Sequence, residues 1–296
     1  MSDTNLVYSI HTVTSNDGTK IGYRQIGSGP GLILIHGCMA SSQSLMTLAT
    51  LLSDDFTVYI PDRRGRGLSG PVGKNYCIQK EIEDLDAIIK KTDTHYIFGF
   101  GSGALIAIKA SLYLPSINKV ALYEPLLALD HSMVEKHNFY MQRFNQEIVK
   151  GEMGAAFVTV LKGLEIIPSP LKYFPHSLLT LFYNRAIKED AKTVKDDHVS
   201  LMELIPTQNF DYELIIETEG SIVDFKGVCS RVLLLGGSKS PIFLKQNLDK
   251  LNNILVCAKR VELRGLGHTA PTENNQPEKV AHELRKFLLS HKCKQK

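Results

Sequence analysis

The stretch Tyr96-Ile97-Phe98-Gly99-Phe100-Gly101-Ser102-Gly103-Ala104-Leu105 decides the reading of this chain. It joins a short apolar run to a glycine-rich turn and then to an amphipathic segment, the order expected of a strand, a sharp elbow and a helix. Strand and helix alternate on both sides of it. Upstream, Gly31-Leu32-Ile33-Leu34-Ile35-His36-Gly37 is a continuous apolar run of the kind buried on both faces of a parallel sheet. Ser44 to Leu52 places Leu45, Leu48, Leu51 and Leu52 at helical spacing, and Phe56-Thr57-Val58-Tyr59-Ile60 is the next strand. Between Tyr76 and Lys91, residues Ile78, Ile82, Leu85, Ile88 and Ile89 mark one helical face, whose charged remainder is expected to face water. Downstream, Ser102 to Leu114 predicts a helix ended by Pro115, and Lys119-Val120-Ala121-Leu122-Tyr123 a buried strand that runs into Glu124-Pro125.

At the N-terminal end, the alternating segments around Asn16-Asp17-Gly18 predict an antiparallel hairpin at one sheet edge. From about Leu126 to Lys226 the periodicity is mostly helical, with Phe139, Tyr140, Phe144, Phe157, Tyr173, Phe174, Phe182 and Tyr183 along it. Most of these aromatics are expected to pack inside. Strands resume at Arg231-Val232-Leu233-Leu234-Leu235-Gly236-Gly237 and Lys259-Arg260-Val261-Glu262-Leu263, separated by a helix near Ile242 to Leu251 and followed by another near Pro277 to Leu289. The expectation is an α/β core with a mostly parallel, doubly wound sheet in two parts, residues 1–125 and 227–296, interrupted by a helical cap over 126–226.

Composition narrows the function classes. The 296 residues, 43% of them hydrophobic, suffice for a large core. A formal charge of +3, with Lys and Arg scattered rather than gathered into a stripe, argues against a nucleic-acid partner. Met1-Ser2-Asp3-Thr4-Asn5 lacks a basic region followed by an apolar run, and no stretch approaches the roughly 20 apolar residues that span a bilayer, so neither secretion nor a membrane partner is expected. The five cysteines (Cys38, Cys77, Cys229, Cys257, Cys293) are odd in number and in no metal-ligand spacing, which fits a reducing cytoplasm. The basic tail around Cys293 is no prenylation signal. No motif for a metal, nucleotide or flavin is present, so no cofactor is expected.

Four pieces together carry a resemblance: Leu34-Ile35-His36-Gly37-Cys38-Met39, then Pro61-Asp62-Arg63-Arg64-Gly65-Arg66-Gly67-Leu68-Ser69, then the elbow, then Gly265-Leu266-Gly267-His268, each after a predicted strand. In this order they resemble the α/β-hydrolase superfamily from end to end, in particular its small, capped, cytosolic members. The resemblance implies an esterase-like scaffold of the carboxylic-ester-hydrolase type. Its elbow is written G-x-S-x-G with the nucleophile at the centre. Laid on Gly99-Phe100-Gly101-Ser102-Gly103, that frame puts Gly101 at the position of a lost nucleophile; a frame centred on Ser102 fails, because Phe100 and Ala104 replace the flanking glycines. The resemblance further implies main-chain oxyanion-hole donors at Cys38 or Met39 and at Ser102, and His268 as the base. The loop Gly236-Gly237-Ser238-Lys239-Ser240-Pro241 holds no carboxylate, so the orienting acid is expected at Glu124, 23 residues beyond Gly101, as in haloalkane dehalogenases; Asp224 is the second choice. The arginine-rich loop is read as a structural turn in which Asp62 and the arginines fix backbone groups, in preference to an acid- or phosphate-binding loop.

Glycine at the elbow keeps a strained turn at no steric cost but removes the hydroxyl, so serine-type acyl transfer is expected to be weak or absent. Four readings follow: a serine hydrolase inactivated by a Ser-to-Gly change, non-covalent general-base catalysis by His268 and Glu124 (hydrolase or lyase), a non-catalytic binding protein or receptor, and a nucleophile moved to Ser102 or Cys38. The last ranks lowest. An apolar, uncharged or weakly polar small molecule is the expected ligand under the cap. The oligomeric state stays open.

Overall fold

The computed structural model of the chain describes residues 8–167, 169–193, 197–273 and 275–290. The stretch Met1–Asn5 and the tail around Cys293 lie outside them. The chain starts with a hairpin of β1 (Ser9–Thr14) and β2 (Lys20–Ile26), turned at Asn16-Asp17-Gly18, where the Asp17 carboxylate accepts from the Thr19 amide at 3.0 Å. Alternation follows: β3 (Gly31–Ile35), α1 (Met46–Leu52), β4 (Thr57–Pro61), α2 (Ile78–Thr92), β5 (Tyr96–Phe100), α3 (Ser102–Tyr113) and β6 (Lys119–Tyr123). Between β6 and the next strand every described element is helical: α4 (His131–Val149), α5 (Met153–Gly163), α6 (His176–Asp190), α7 (Leu201–Leu204) and α8 (Gln208–Ile216), with short 3-10 turns. The chain then closes with β7 (Arg231–Gly237), α9 (Ile242–Ile254), β8 (Ala258–Leu263) and α10 (Pro277–Leu288).

The described strands form one sheet in the order β1-β2-β4-β3-β5-β6-β7-β8. Pairs β1–β2 and β2–β4 are antiparallel and the rest are parallel. The α/β reading from the sequence holds. The continuous apolar runs are explained by burial on both faces: Ile33, Ile35 and Ile97 pack toward α2 and α3, while Leu32, Leu34 and Phe98 pack toward α1 and α10. Winding starts at β3, goes to β4 on one side and returns to β5 on the other. The carboxyl ends of β3 and β5 therefore flank the topological switch point, where open α/β sheets gather their functional groups.

Sterics fix the elbow at that point. A Cβ on Gly99 would lie 2.3 Å from the Gly103 carbonyl oxygen, and one on Gly103 would lie 2.4 Å from the Ile35 oxygen and 2.5 Å from the His36 oxygen. These glycines are required by close approach of α3 to two strands. Gly101 is different: φ is +58° and ψ −116°, and a Cβ there would meet nothing nearer than 3.7 Å. Only its backbone conformation disfavours a side chain.

Two expectations need correction. The charged face of α2 does not all meet water, since Glu81 and Asp84 are buried against arginines of the loop after β4. The aromatics of the inserted region are not mostly interior: Phe144 is buried, but Phe139 on α4, Tyr173 and Phe174 in the turn before α6, and Phe182 on α6 are exposed, the last because α6 packs only one of its faces onto α5.

The steric contrast is measurable by chemical denaturation. Gly101→Ala is expected to cost about 1–3 kcal/mol, from backbone strain alone, whereas Gly103→Ala should cost about 3 kcal/mol or more, at the top of the range for over-packing. A Gly103→Ala protein as stable as the parent would contradict the close approach.

Candidate active site

The elbow is tied to the end of β6 through its main chain. The Gly101 amide donates to the Tyr123 carbonyl at 3.0 Å, and the Gly101 carbonyl accepts from the Leu126 amide at 3.2 Å. Between those two residues sits Glu124, fully buried at φ +47°, a conformation that costs a non-glycine residue steric energy. Its amide donates to the Leu235 carbonyl at 3.0 Å, which stitches it to the end of β7. One carboxylate oxygen, Oε1, accepts from the Gly237 amide at 2.6 Å. The other, Oε2, lies 2.8 Å from Nδ1 of His268.

The loop after β8 brings the imidazole there. Tyr123 donates its hydroxyl to the Gly267 carbonyl at 2.7 Å, the Lys239 amide donates to the Leu266 carbonyl at 2.8 Å, and the ring of Phe100 lies 4.9 Å from that of His268. A carboxylate only accepts, so Nδ1 carries a hydrogen, and in the neutral imidazole the lone pair is on Nε2. Nε2 points at the elbow, 3.7 Å from where a Cβ on Gly101 would stand. A hydroxymethyl group at 101 would fit that space and bring its oxygen toward Nε2.

The end of β3 completes the surround. His36 is fully buried; its Nδ1 donates to the Gly37 carbonyl at 3.0 Å, and its Nε2 accepts from the Arg63 amide at 3.2 Å. Burial, with the charges of Arg66 and Arg63, holds this imidazole neutral and its pKa well below the ordinary value. Its role is to pin the turn. The Gly37 Cα lies 3.9 Å from the Cβ position of residue 101, so Cys38 and Met39, the latter at φ +46°, leave the strand beside the elbow. Ser102 opens α3, and first-turn amides have no partner within their own helix. Asp224 is exposed and has no bond to His268; of the two carboxylates weighed from the sequence, Glu124 is the one that meets the imidazole.

A family model described as the alpha/beta hydrolase fold matches residues 30–274. The chain belongs to the α/β-hydrolase fold family. An α/β hydrolase from Sphaerobacter thermophilus superposes with a TM-score of 0.74 at 25% identity, covering 94% of this chain and 100% of that one. Pyrrolizixenacetamide deacetylase of Xenorhabdus hominickii is 24% identical over 286 residues, 92% of this chain and 97% of the relative. The uncharacterized hydrolase YraK of Bacillus subtilis is 29% identical over 115 residues, which cover 37% of this chain and 42% of that protein.

Within this α/β-hydrolase frame, Ser102 and Cys38 are poorly placed to replace the elbow nucleophile. The Ser102 hydroxyl is buried, donates to Asp211 Oδ1 at 2.7 Å and accepts from Arg63 Nη1 at 3.0 Å. Desolvation, with the nearby Asp211 charge, pushes the Cys38 thiol up to about 12, so it is a thiol and not a thiolate at neutral pH.

Asp211, on α8, is the residue that the sequence reading missed. Arg63 donates to Asp211 Oδ1 at 2.6 Å and to Glu81 Oε1 at 2.8 Å, and Arg66 donates to Asp211 Oδ2 at 2.6 Å. Arg64 is held by Asp84 at 2.6 Å and Asp17 at 3.0 Å. The loop is structural, as expected, and the Asp62 carboxylate does fix backbone, accepting from the Ser42 and Leu68 amides at 2.7 and 3.0 Å. The arginines, however, chiefly pair with carboxylates rather than fix backbone groups. For the α2 partners a signal was present: Glu81 and Asp84 are three apart on the same helical face as Leu85 and Ile88.

Burial opposes ionisation of Asp211, but the charges of Arg66 and Arg63 outweigh it and hold the carboxyl at about 2, below the ordinary 3.8. Its stabilising contribution is thus complete above about pH 4 and lost as pH falls toward 2. Asp211→Asn is expected to cost about 3 kcal/mol near neutral pH, because two buried guanidinium groups lose their shared counter-charge. It should also flatten the acid limb of a stability-against-pH curve. An acid limb identical to the parent's would contradict this assignment.

Proposed function

We propose that this α/β-hydrolase uses His268 as a general base on water to cleave a carboxylic ester or amide bond in a small apolar molecule, with no acyl-enzyme. One observation carries the reading: Glu124 holds His268 with Nε2 facing the elbow, where Gly101 supplies no nucleophile. The helical region between β6 and β7 acts as the cap. Cys38 and Met39, only partly buried where the chain leaves β3 beside the elbow, favour an apolar substrate.

In this mechanism a water occupies the space above Gly101. His268 Nε2 takes one of its protons while the water oxygen bonds to the substrate carbonyl carbon, and the carbonyl oxygen gains the negative charge. The amides of Cys38 or Met39 and of Ser102 stabilise that oxyanion, and Glu124 stabilises the imidazolium. The carbon–oxygen or carbon–nitrogen bond then breaks, and His268 returns its proton to the leaving alcohol or amine. A carboxylic acid is the other product. The deacetylase relative, whose name denotes removal of an acetyl group, supports an acyl substrate.

Aryl esters test the reading. The parent is expected to turn over slowly with no initial burst, Gly101→Ser to show a burst as an acyl-enzyme accumulates, and His268→Ala to lower the parent rate by about 10²-fold or more. A parent rate unchanged by His268→Ala would overturn general-base catalysis. No turnover by the parent, with a raised melting temperature on adding the ester, would assign the site to binding alone.

A further inference from the structure

Helix α6 is apolar on two sides, and one of them is uncovered. Its inner side packs on α5 through buried Leu179 and Ile187, with the Tyr183 ring edge-on to Phe157 at 5.1 Å. Its outer side presents Leu178, Leu181 and Phe182, which are 49%, 69% and 57% exposed, at the i, i+3, i+4 spacing of one stripe. The turn before it adds Tyr173 and Phe174, 75% and 41% exposed. A single exposed leucine is ordinary, but five large apolar side chains within ten residues of chain form a patch of the kind that meets a partner.

Charge selects the partner. No acidic residue occurs between Glu165 and Glu189, while Lys172, Arg185 and Lys188 are all exposed on this segment. Among the described residues none of the three is held in an ion pair; the Lys172 ammonium lies 5.0 Å over the Tyr173 ring, at the edge of the apolar stripe. A second copy docked symmetrically would set these like charges against each other. An apolar stripe of Leu, Phe and Tyr rimmed by basic residues instead matches an anionic lipid surface, into whose headgroup layer the stripe can sink while the cations meet phosphates.

We propose that the outer face of α6 and the turn at 172–174 dock the protein peripherally on an anionic phospholipid surface. Among the described residues no helix is long and apolar enough to cross a membrane. The proposal is independent of the catalytic reading, since it uses none of the elbow, Glu124 or His268.

Co-sedimentation with lipid vesicles tests it. The parent is expected to bind vesicles of phosphatidylcholine containing about a third phosphatidylglycerol at least about tenfold more strongly than phosphatidylcholine alone, with binding weakened by added salt. Leu181→Glu combined with Phe182→Glu should abolish binding to both, with an unchanged melting temperature because both side chains are at the surface. Lys172→Gln, Arg185→Gln and Lys188→Gln together should remove the preference for the anionic lipid. Equal binding to both vesicle types, no binding to either, or binding untouched by the Leu181/Phe182 pair would overturn the proposal. So would a parent dimer in solution that the same pair converts to monomer, since a second copy would then cover the face.

Discussion

The first turn of α3 lies so close to the ends of β3 and β5 that Gly99 and Gly103 have no room for a Cβ, and the rest of the site follows from that contact. Because the helix cannot stand off, the chain must reverse within Phe100-Gly101-Ser102. That forces φ at 101 to +58° and leaves Ser102 as the opening residue of the helix beside the end of β3. The neighbouring strand ends are bonded to the same turn: Tyr123 receives the Gly101 amide, and Glu124, one residue on, donates its own amide to Leu235. The imidazole of His268 is therefore positioned by strands β6, β7 and β8 against a turn positioned by β3 and β5. None of these placements needs a side chain at residue 101.

The buried charges do a different job. Three arginines follow one another closely after β4, and each is matched by carboxylates from α2, α8 or the first hairpin. Removing such groups from water is costly, and well-packed apolar residues often stabilise as much. What the pairing supplies here is register. Asp211 can neutralise Arg63 and Arg66 only when α8 lies against the elbow, and the same carboxylate holds the Ser102 hydroxyl inward. The inserted helical region and the turn beneath it are thus coupled through one buried carboxylate. The serine next to the elbow centre is at once committed to that structural bond.

The sheet was legible in the sequence because strands buried on both faces are continuous apolar runs; the strand order, and with it the switch point, comes from the structure. Gly101 was legible as the elbow centre through the family's G-x-S-x-G frame, and the structure adds that the outer two glycines are required by contact and the middle one by backbone angle alone. The pairing of Glu124 with His268 was reachable only through the family resemblance, which offers the end of β6 as a second place for the acid once the loop after β7 is seen to hold no carboxylate. Asp211 was not reachable, since it comes from a helix 110 positions after Gly101 and nothing local marks it as buried. The exposed aromatics of the inserted region are hidden from sequence for a related reason: helical spacing shows that side chains share a face but not whether a second layer covers it.

The central claim is that the imidazole faces a point where the protein has no nucleophile of its own. Intact-mass and peptide mapping after treatment with a fluorophosphonate, an active-serine reagent, tests it directly. No adduct is expected on the parent, and a single adduct at residue 101 is expected in Gly101→Ser. An adduct on the parent at Ser102 or Cys38 would contradict it, for it would show a reactive hydroxyl or thiol where the geometry places only a bonded serine and a protonated thiol.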